Sequence, residues 1–215
     1  MTNWGNKFKT KDIDPENLID HYNQYAEEFD EHVKHELCGN GENIPVVVTA
    51  ELFAETVPYQ ELMKILDMGA GTGEQGEQLT KLGYKNVELT AFDPSEGMLN
   101  IAKKRNIYSE FIQGYLPDSG LASDCFDAII CVGTFTPAHA PAESLHELVR
   151  ITKKGGYIVY SIRKHFYEDI NSRFQAVEEE LTQAKKWKMI AKREDEYLPL
   201  EKIKAYYFCF QVSGD

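Results

Sequence analysis

A glycine-rich run directly follows a short apolar segment and limits the folds available to this chain. Residues 65–76 read ILDMGAGTGEQG, a strand-like segment followed at once by alternating glycines. Each of Gly69, Gly71 and Gly73 allows a positive φ or a close approach of the backbone to a ligand. Residues 74–82 then predict a helix whose free N–H groups face that ligand. We therefore predict a strand, loop and helix that together form a binding site.

The run can be read in two frames, which imply different ligands. Beginning at Gly71 it is G-x-G-x-x-G, the fingerprint of a dinucleotide-binding turn. In that frame the first glycine should follow the strand directly, so Asp67 and Gly69 would have no role. Beginning at Asp67 it is D-x-G-x-G-x-G, which places the end of the strand at Asp67 and the three glycines in the turn. We adopt the second frame because it accounts for more residues.

Strand-like and helix-like segments alternate from residue 62 to residue 186. The predicted strands are 63–68, 87–92, 111–112, 126–132 and 157–162, followed by a hairpin of 187–198 and 205–212. The predicted helices between them are 74–82, 96–105, 141–152 and 166–186. This alternation predicts an α/β fold with a doubly wound, mostly parallel seven-stranded sheet.

Two helices are predicted before the sheet. Asp14 and Pro15 suit the N-cap and first turn of a helix. Apolar residues then recur at steps of three or four to about residue 36, which predicts an amphipathic helix. A second helix is predicted from Ile44 to about Val57. We predict that residues 1–58 form a helical cap on residues 59–215, within one compact unit.

Composition and charge restrict the class of partner. The formal net charge of −12 over 215 residues argues against a nucleic-acid partner, which lysines and arginines would have to neutralise. It weakly favours a neutral or cationic substrate. No segment approaches the ~20 apolar residues of a membrane helix. Residues 1–11 also lack the apolar run of a secretory signal. We therefore expect a cytoplasmic protein without a membrane or nucleic-acid partner.

Three other patterns in the sequence suggest a different chemistry, but each is weaker evidence than the glycine loop. Tyr160 to Lys164 fits YxxxK of short-chain dehydrogenases, but that motif needs a helix, and four residues of a strand span ~13 Å. His32, His35 and Glu36 lack the third ligand and the motif order of a zinc site. The four cysteines form no CxxC pair, so we expect free thiols. We predict no metal site.

The motifs around the glycine loop resemble a known enzyme class. Together with the loop, FDPSEGMLNIAKKR at residues 92–105 is similar to motifs I and II of the class I S-adenosylmethionine-dependent methyltransferases. This resemblance covers residues 62–162. The segments HYNQYAEEFDEHV, FDPSEGML and VGTFTPAHAP, with a later KKGG, resemble methyltransferase-like proteins of the Williams–Beuren critical region type. The resemblance implies that residues 59–215 are a methyltransferase catalytic domain.

The resemblance also implies how S-adenosylmethionine would be bound. The loop Asp67–Gly73 would hold the methionine part, with N–H groups at its carboxylate and Asp67 or carbonyls at its ammonium. Asp93 would accept the ribose hydroxyls, as it also would in a dinucleotide fold. Many members of the class carry Gly-Asp after the third strand, and the Asp accepts the adenine amino group. This sequence has Gly114 and Tyr115 there. The backbone of Tyr115 and Leu116 would therefore flank the base, and Asp118 is a further candidate for contact with the amino group. The predicted cofactor residues are Tyr22, Tyr25, Asp67, Gly69, Ala70, Gly71, Gly73, Asp93, Pro94, Ser95, Met98, Tyr115, Leu116, Val132, Gly133 and Thr134.

Methyl transfer from a sulfonium needs alignment and a dry site. Aromatic rings of Tyr22, Tyr25 and Phe29 would stabilise the cation if the first helix closes over the pocket; core packing is the alternative. His139 is the candidate base if the acceptor arrives protonated, and an exposed loop histidine is the alternative. The predicted catalytic residues are His139 and Tyr25. Candidates for binding a substrate amine are Glu194, Asp195 and Tyr197.

Together these patterns predict transfer of a methyl group to an N or O atom of a small molecule, with an amine as one option. The absence of a large extra domain and the acidic composition favour a small acceptor. Two alternatives stay open. A protein methyltransferase would need an open groove, and a non-catalytic protein would bind S-adenosylmethionine or another nucleotide without transfer.

Overall fold

The computed structural model describes residues 15–38 and 41–214. The predicted N-cap Asp14 and the helix stop at Gly39 and Asn40 lie outside the described residues. The helices are α1 (Pro15–His32, continued as a π-helix over Val33–Leu37), α2 (Ile44–Thr56), α3 (Glu74–Lys81), α4 (Glu96–Lys103), α5 (Ser144–Ile151), α6 (Lys164–Glu168) and α7 (Phe174–Gln183). The strands are β1 (Lys64–Met68), β2 (Glu88–Asp93), β3 (Glu110–Gln113), β4 (Phe126–Phe135), β5 (Thr152–Arg163), β6 (Trp187–Leu198) and β7 (Ile203–Val212).

The strands form one sheet of seven in the order β3-β2-β1-β4-β5-β7-β6. Strands β1 to β5 are parallel, and β7 is antiparallel to both β5 and β6. This arrangement confirms the predicted α/β fold and the predicted final hairpin. Because β1, β2, β4 and β5 are parallel, their carboxyl ends meet at one edge, where open α/β sheets bind ligands.

Helices cover both faces of the sheet. Successive residues of a strand point to opposite faces, so neighbouring residues of β1 pack against different helices. Leu66 packs in one hydrophobic cluster with residues of α5 and α7, and Ile65 packs in another with residues of α2. Phe53 of α2 is fully buried. Helix α2 therefore belongs to the hydrophobic core of the sheet, while the boundary at residue 58 stays a prediction.

The single helix predicted over residues 166–186 is wrong. Helix α6 ends at Glu168, and α7 begins only at Phe174. The Asp169 carboxylate accepts a hydrogen bond from the Asn171 N–H at 2.9 Å, a local bond that competes with the helical one. Arg173 adopts a left-handed φ of 64°. Ile170, which the helix would place on the apolar side, is 86% exposed.

Other predicted boundaries also shift, including those of α5 and β5. The helix predicted from residue 141 begins at Ser144. The predicted turn at residues 154–156 lies within the longer strand β5, where the pairing with β4 changes register between Thr152 and Tyr157. Gly155 accommodates this irregularity with a φ of 77°. Tyr160 lies on β5 and is fully buried, as expected for a strand rather than a YxxxK helix.

Candidate cofactor and acceptor site

The glycine loop leaves β1 in the left-handed conformation that the sequence predicted. The φ angles of Gly69, Gly71 and Gly73 are 73°, 54° and 86°. The N–H groups of Gly69 and Ala70 donate to the carbonyl of Phe92, at 2.8 and 3.0 Å. The loop therefore folds back against the end of β2, and α3 begins directly after Gly73.

Close neighbours leave no room for a side chain at two of the three glycines, whereas the third has open space. A Cβ on Gly69 would lie 2.0 Å from the hydroxyl oxygen of Thr134. A Cβ on Gly73 would lie 2.9 Å from the ring of Tyr108. A Cβ on Gly71 would meet nothing within 4 Å. Among the three, Gly71 is therefore the one with open space beside its Cα, where a ligand can approach the backbone.

The carboxylate of Asp93 ends β2 and organises the neighbouring backbone. Its Oδ2 accepts a hydrogen bond from the Gly71 N–H at 2.9 Å, and its Oδ1 accepts one from the Ser95 N–H at 2.8 Å. Burial raises the pKa of Asp93 to about 6. The side chain thus connects the glycine loop to the turn that begins α4, and each oxygen keeps lone-pair capacity for a hydroxyl.

Asp67 lies beneath the loop and is 1% exposed. The Tyr108 hydroxyl donates a hydrogen bond to its Oδ2 at 2.6 Å. Burial raises the pKa of Asp67 to about 7, and the hydrogen bond from Tyr108 partly opposes this shift. A Cβ on Gly76 would lie 2.4 Å from the Tyr108 hydroxyl, so glycine inside α3 makes room for the ring. Tyr108 was not predicted; the glycine within the α3 segment was the signal for a close neighbour.

The raised pKa of Asp67 predicts a pH-dependent contribution to folding. A carboxyl whose folded pKa exceeds its unfolded value binds more protons in the folded state, so its contribution falls as the pH rises from about 4 to about 7. Between pH 5 and pH 7.5, we expect the free energy of unfolding of the wild type to fall relative to Asp67→Asn by about 1–2 kcal/mol. Urea denaturation at both pH values measures this difference, and a constant difference would contradict the buried, protonated carboxyl.

Helix α1 is fixed to the amino end of α4 by one side chain that the sequence did not indicate. The Asn23 Oδ1 accepts hydrogen bonds from the Ser95 hydroxyl at 2.8 Å and from the Gly97 N–H at 2.9 Å. Ser95 also caps α4 by accepting from the Met98 N–H. A Cβ on Gly97 would lie 2.8 Å from the Cα of Asn23. Gly97 therefore permits the close contact of α1 and α4.

Arg105 joins three segments around the same loop. Its Nε donates to the carbonyl of Thr72 at 2.7 Å, and its terminal nitrogens pair with Asp30 of α1 and Glu77 of α3. The Thr72 hydroxyl also donates to Asp30. These contacts hold α1 against the glycine loop, while the predicted helical cap of residues 1–58 stays a prediction.

Removal of the Asn23 amide is expected to loosen α1 without unfolding the sheet. Asn23→Ala removes two acceptor contacts, so we expect docking of α1 to weaken by about 1–2 kcal/mol. Hydrogen exchange should become faster in residues 15–32, while exchange in β1 and β4 stays unchanged. Asn100→Ala, which removes an exposed contact to Lys103 only, is the control. Equal exchange in α1 of both variants would show that this contact does not hold the helix.

Tyr22 of α1 meets His139 of the loop after β4. The Tyr22 hydroxyl lies 2.9 Å from the Nε2 of His139, and the Pro137 carbonyl lies 3.0 Å from the Nδ1. Because a carbonyl only accepts, Nδ1 carries the proton and Nε2 accepts from Tyr22. Burial lowers the pKa of His139 and raises that of Tyr22, so both groups are neutral near pH 7. The structure thus brings together two of the predicted site residues.

The other predicted residues are more scattered. Tyr25 is partly buried against the ring of His21, 4.5 Å between centroids, and Met98 is 2% exposed in the core. Tyr115 is 52% exposed beside Leu116. Gly114 packs so closely on the ring of Phe92 that a Cβ would lie 2.5 Å from it. The backbone after β3 therefore passes beside the end of β2.

The other predicted cofactor residues lie at the carboxyl end of β4, close to Tyr197 and to Arg163 at the end of β5. Gly133 has a φ of 71°, and a Cβ there would lie 3.6 Å from the hydroxyl of Tyr197. The guanidinium of Arg163 lies 5.2 Å from the centre of the Tyr197 ring. Val132 packs against the core and Thr134 donates to the Met68 carbonyl. This region adjoins the glycine loop through the contact of Gly69 with Thr134.

The residues predicted to bind an amine do not form one acidic rim. Glu194 is exposed and pairs with Lys164 and Lys204, at 2.7 and 3.1 Å. Tyr197 is buried near Arg163, which is a cation. Asp195 is partly exposed on β6. Of these three residues, Tyr197 lies nearest to the site.

Within the described residues, no group of three or more histidine, cysteine or acidic side chains is arranged to hold a metal ion. His35 pairs with Glu31 at 3.0 Å, and all four cysteines are free thiols. In the same part of the chain, no helix has the length and apolar character needed to cross a membrane.

Part of the chain matches the model of a known family. Residues 66–160 match the model described as "Methyltransferase domain". The chain is 34% identical to a demethylmenaquinone methyltransferase of Paenarthrobacter aurescens over 102 residues. This alignment covers 47% of this chain and 39% of that protein. It is also 26% identical to a ubiquinone/menaquinone biosynthesis C-methyltransferase of Campylobacter jejuni over 148 residues, an alignment that covers 67% of this chain and 62% of that protein. The matched part thus spans less than two thirds of the length of these relatives.

Solved structures share the fold at low sequence identity. A Haloferax volcanii protein solved with the methyltransferase activator Trm112 has a TM-score of 0.66 and 17% identity, with coverage of 89% of this chain and 97% of that one. An S-adenosylmethionine-dependent methyltransferase of Aquifex aeolicus has a TM-score of 0.58 and 20% identity, with coverage of 88% of this chain and 98% of that one. The [4+2]-cyclase SpnF has a TM-score of 0.66 and 12% identity, with coverage of 94% of this chain and 98% of that one. Residues 66–160 are thus similar to a methyltransferase domain, and the chain shares the fold of these solved structures.

Proposed function

We propose that this protein binds S-adenosylmethionine at the glycine loop and transfers its methyl group to a small molecule. The observation that carries the proposal is the open backbone at Gly71, whose N–H is held by the Asp93 carboxylate. An amino-acid tail can approach the loop there, and a ribose can share the same carboxylate. When bound, S-adenosylmethionine supplies an activated methyl group on a sulfonium.

The residues around the loop fit this cofactor. Asp67 and Asp93 are buried acids that a cationic ligand would ionise, since a nearby positive charge favours the charged form of a carboxyl. Tyr115 and Leu116 follow β3 beside Asp93, where an adenine ring would lie. Val132, Gly133 and Thr134 would flank the methyl group, and Tyr22 would close the site from α1. These residue roles are supported by their positions at one edge of the sheet.

The acceptor class is proposed from the site and from the names of relatives. The matching curated proteins include methyltransferases of demethylmenaquinone and of ubiquinone biosynthesis. The site is covered by α1 and closed by the Tyr22–His139 contact, which favours a small acceptor over a protein segment. Transfer to a carbon atom, as in the Campylobacter jejuni relative, is therefore added to the predicted N and O acceptors.

His139 has a defined part in this proposal. Its neutral Nε2 accepts the Tyr22 hydroxyl, so a proton leaving the acceptor would reach His139 through Tyr22 or after Tyr22 moves away. Tyr25 lies on the same helix face, three residues further along. We therefore place Tyr22 at the acceptor and keep Tyr25 as a part of the cover.

Transfer of radiolabelled methyl groups tests the function. The full chain is incubated with S-adenosyl[methyl-3H]methionine and fractionated small-molecule metabolites, and the labelled product is identified by mass spectrometry. We expect label in a small molecule with the wild type and, at a subsaturating concentration of S-adenosylmethionine, about tenfold less label with Asp93→Ala. Label only in protein would favour the alternative acceptor class. Cofactor binding without any labelled product would favour the non-catalytic alternative.

A further inference from the structure

One arginine at the edge of the proposed site differs from all the others in the chain. The sequence contains five arginines, and all lie in the described part. Arg105, Arg150, Arg173 and Arg193 each form an ion pair with a glutamate or aspartate. Arg163 has no such pair among the described residues. A guanidinium stays charged at every physiological pH, so its charge has no anionic partner in this region.

The Arg163 side chain also carries a buried, unsatisfied donor. Its Nε is inaccessible and has no hydrogen-bond partner, and the same holds for the hydroxyl of Ser161. Residues two apart on a strand face the same side, so both donors lie on one face of β5. Buried donors of folded proteins are nearly always satisfied by protein, water or ligand. The end of β5 thus presents two donors for an acceptor that the described residues do not supply.

The same arginine adjoins the groups that enclose the proposed acceptor site. Its guanidinium packs on Tyr197, whose hydroxyl is near Gly133. The charge of Arg163 is one of the influences on the pKa of Tyr22, His139 and Tyr197, and it opposes protonation of His139. Arg163 therefore lies near α1, the loop after β4 and the end of β6.

We propose that Arg163 binds an anionic oxygen of the methyl acceptor, so that the substrate class is a carboxylate or a phenolate-type oxyanion. The proposal rests on the proposed function. A cation beside a sulfonium is unfavourable unless an anion lies near both, and a bidentate guanidinium matches an oxyanion. When the bound oxygen itself is methylated, transfer breaks the bond between sulfur and the methyl carbon and forms the bond between that carbon and the oxygen. The electron pair of the broken bond stays on sulfur, the oxygen loses its negative charge, and no proton leaves, so this acceptor needs no base at His139.

An anion at Arg163 replaces the amine that the sequence suggested. An ammonium ion would be repelled by Arg163, whereas an oxyanion would satisfy its Nε and lie within reach of Ser161. The carboxylate and the phenolate share this chemistry, so the test must separate them from each other and from uncharged or cationic molecules of similar size.

Binding of four small probes to the protein saturated with S-adenosylhomocysteine tests the proposal. The probes are benzoate, 4-nitrophenolate, benzyl alcohol and benzylamine, each titrated by calorimetry at pH 8. We expect benzoate or 4-nitrophenolate to bind the wild type, and the one that binds more tightly identifies the oxyanion. Arg163→Met should weaken that binding by about tenfold or more, the scale of a charge-assisted pair, and Arg163→Lys by less. Arg193→Met, which removes a guanidinium paired with Glu55, should leave it unchanged.

A second readout needs no acceptor. S-adenosylmethionine carries a sulfonium charge, and S-adenosylhomocysteine does not. Removal of the Arg163 charge should therefore raise the affinity of the protein for S-adenosylmethionine, relative to that for S-adenosylhomocysteine, by roughly two- to tenfold. Anion binding that is absent, or that is equal in the wild type and Arg163→Met, would overturn the assignment, as would tighter binding of benzylamine. Failure of the wild type to bind S-adenosylmethionine would instead refute the proposed function itself.

Discussion

Replacing Asp93 with alanine is expected to weaken S-adenosylmethionine binding by about tenfold or more. The carboxylate accepts hydrogen bonds from Gly71 and Ser95, and in the proposed complex it also accepts the ribose hydroxyls. Hydrogen bonds to a charged acceptor contribute about 1.5–3 kcal/mol, so loss of the ribose contacts alone accounts for such a decrease. Isothermal titration with S-adenosylmethionine measures the change directly.

Asp127→Ala is a matched control for this variant. Asp127 also accepts a backbone N–H, that of Lys64 at 2.7 Å, together with the ammonium group of Lys153, but it lies at the opposite edge of the sheet. We expect Asp127→Ala to reduce stability and leave cofactor affinity within about twofold. If both variants lose affinity equally, Asp93 acts only through stability; if neither does, the ribose assignment is wrong.

The second large effect is expected at Gly69. Alanine there must adopt a φ of 73° and places its Cβ 2.0 Å from the Thr134 hydroxyl. The left-handed conformation costs a non-glycine residue about 1–2 kcal/mol, and overpacking about 1–3 kcal/mol more. We therefore expect Gly69→Ala to lower the free energy of unfolding by about 2–5 kcal/mol, measured by urea denaturation.

Gly71→Ala tests the effect of the backbone conformation without that of a steric clash. Gly71 has a φ of 54°, and no atom lies within 4 Å of the added Cβ. The substitution should therefore lower the free energy of unfolding only by the cost of the left-handed conformation, about 1–2 kcal/mol. Cofactor affinity should nevertheless fall by about tenfold, because the added methyl group occupies the space of the ligand. The double variant Gly69→Ala/Thr134→Ala should recover part of the stability lost in Gly69→Ala. Equal stability of the two glycine variants, with undiminished binding in Gly71→Ala, would contradict the described loop.

The parts of the site that the sequence predicted are local. A glycine with positive φ, an acid at the end of a strand and a serine at a helix start are fixed by neighbouring residues, so the glycine loop, Asp93 and Ser95 were all predictable. The alternation of strand and helix likewise determined the seven-stranded sheet. The helix predicted over residues 166–186 failed because Asp169 prefers a turn contact, which apolar periodicity does not reveal.

The missed residues act across long sequence separations. Asn23 contacts Ser95 and Gly97, Arg105 contacts Asp30, and Tyr108 contacts Asp67. Such pairs depend on where α1 crosses the sheet edge, and one sequence carries no direct information on that crossing. Arg163 lies within Tyr160–Lys164, the segment that fits YxxxK. Its position at the carboxyl end of a parallel strand was the signal for a site residue.

If the loop holds an amino-acid tail beside a ribose bound by Asp93, a calorimetric titration of the full chain with S-adenosylmethionine, S-adenosylhomocysteine and NAD+ will distinguish the three ligands. We expect micromolar-range binding of both sulfur ligands at one site per chain and no heat of binding with NAD+. Binding of NAD+ at that site, or no binding of either sulfur ligand, would contradict this expectation.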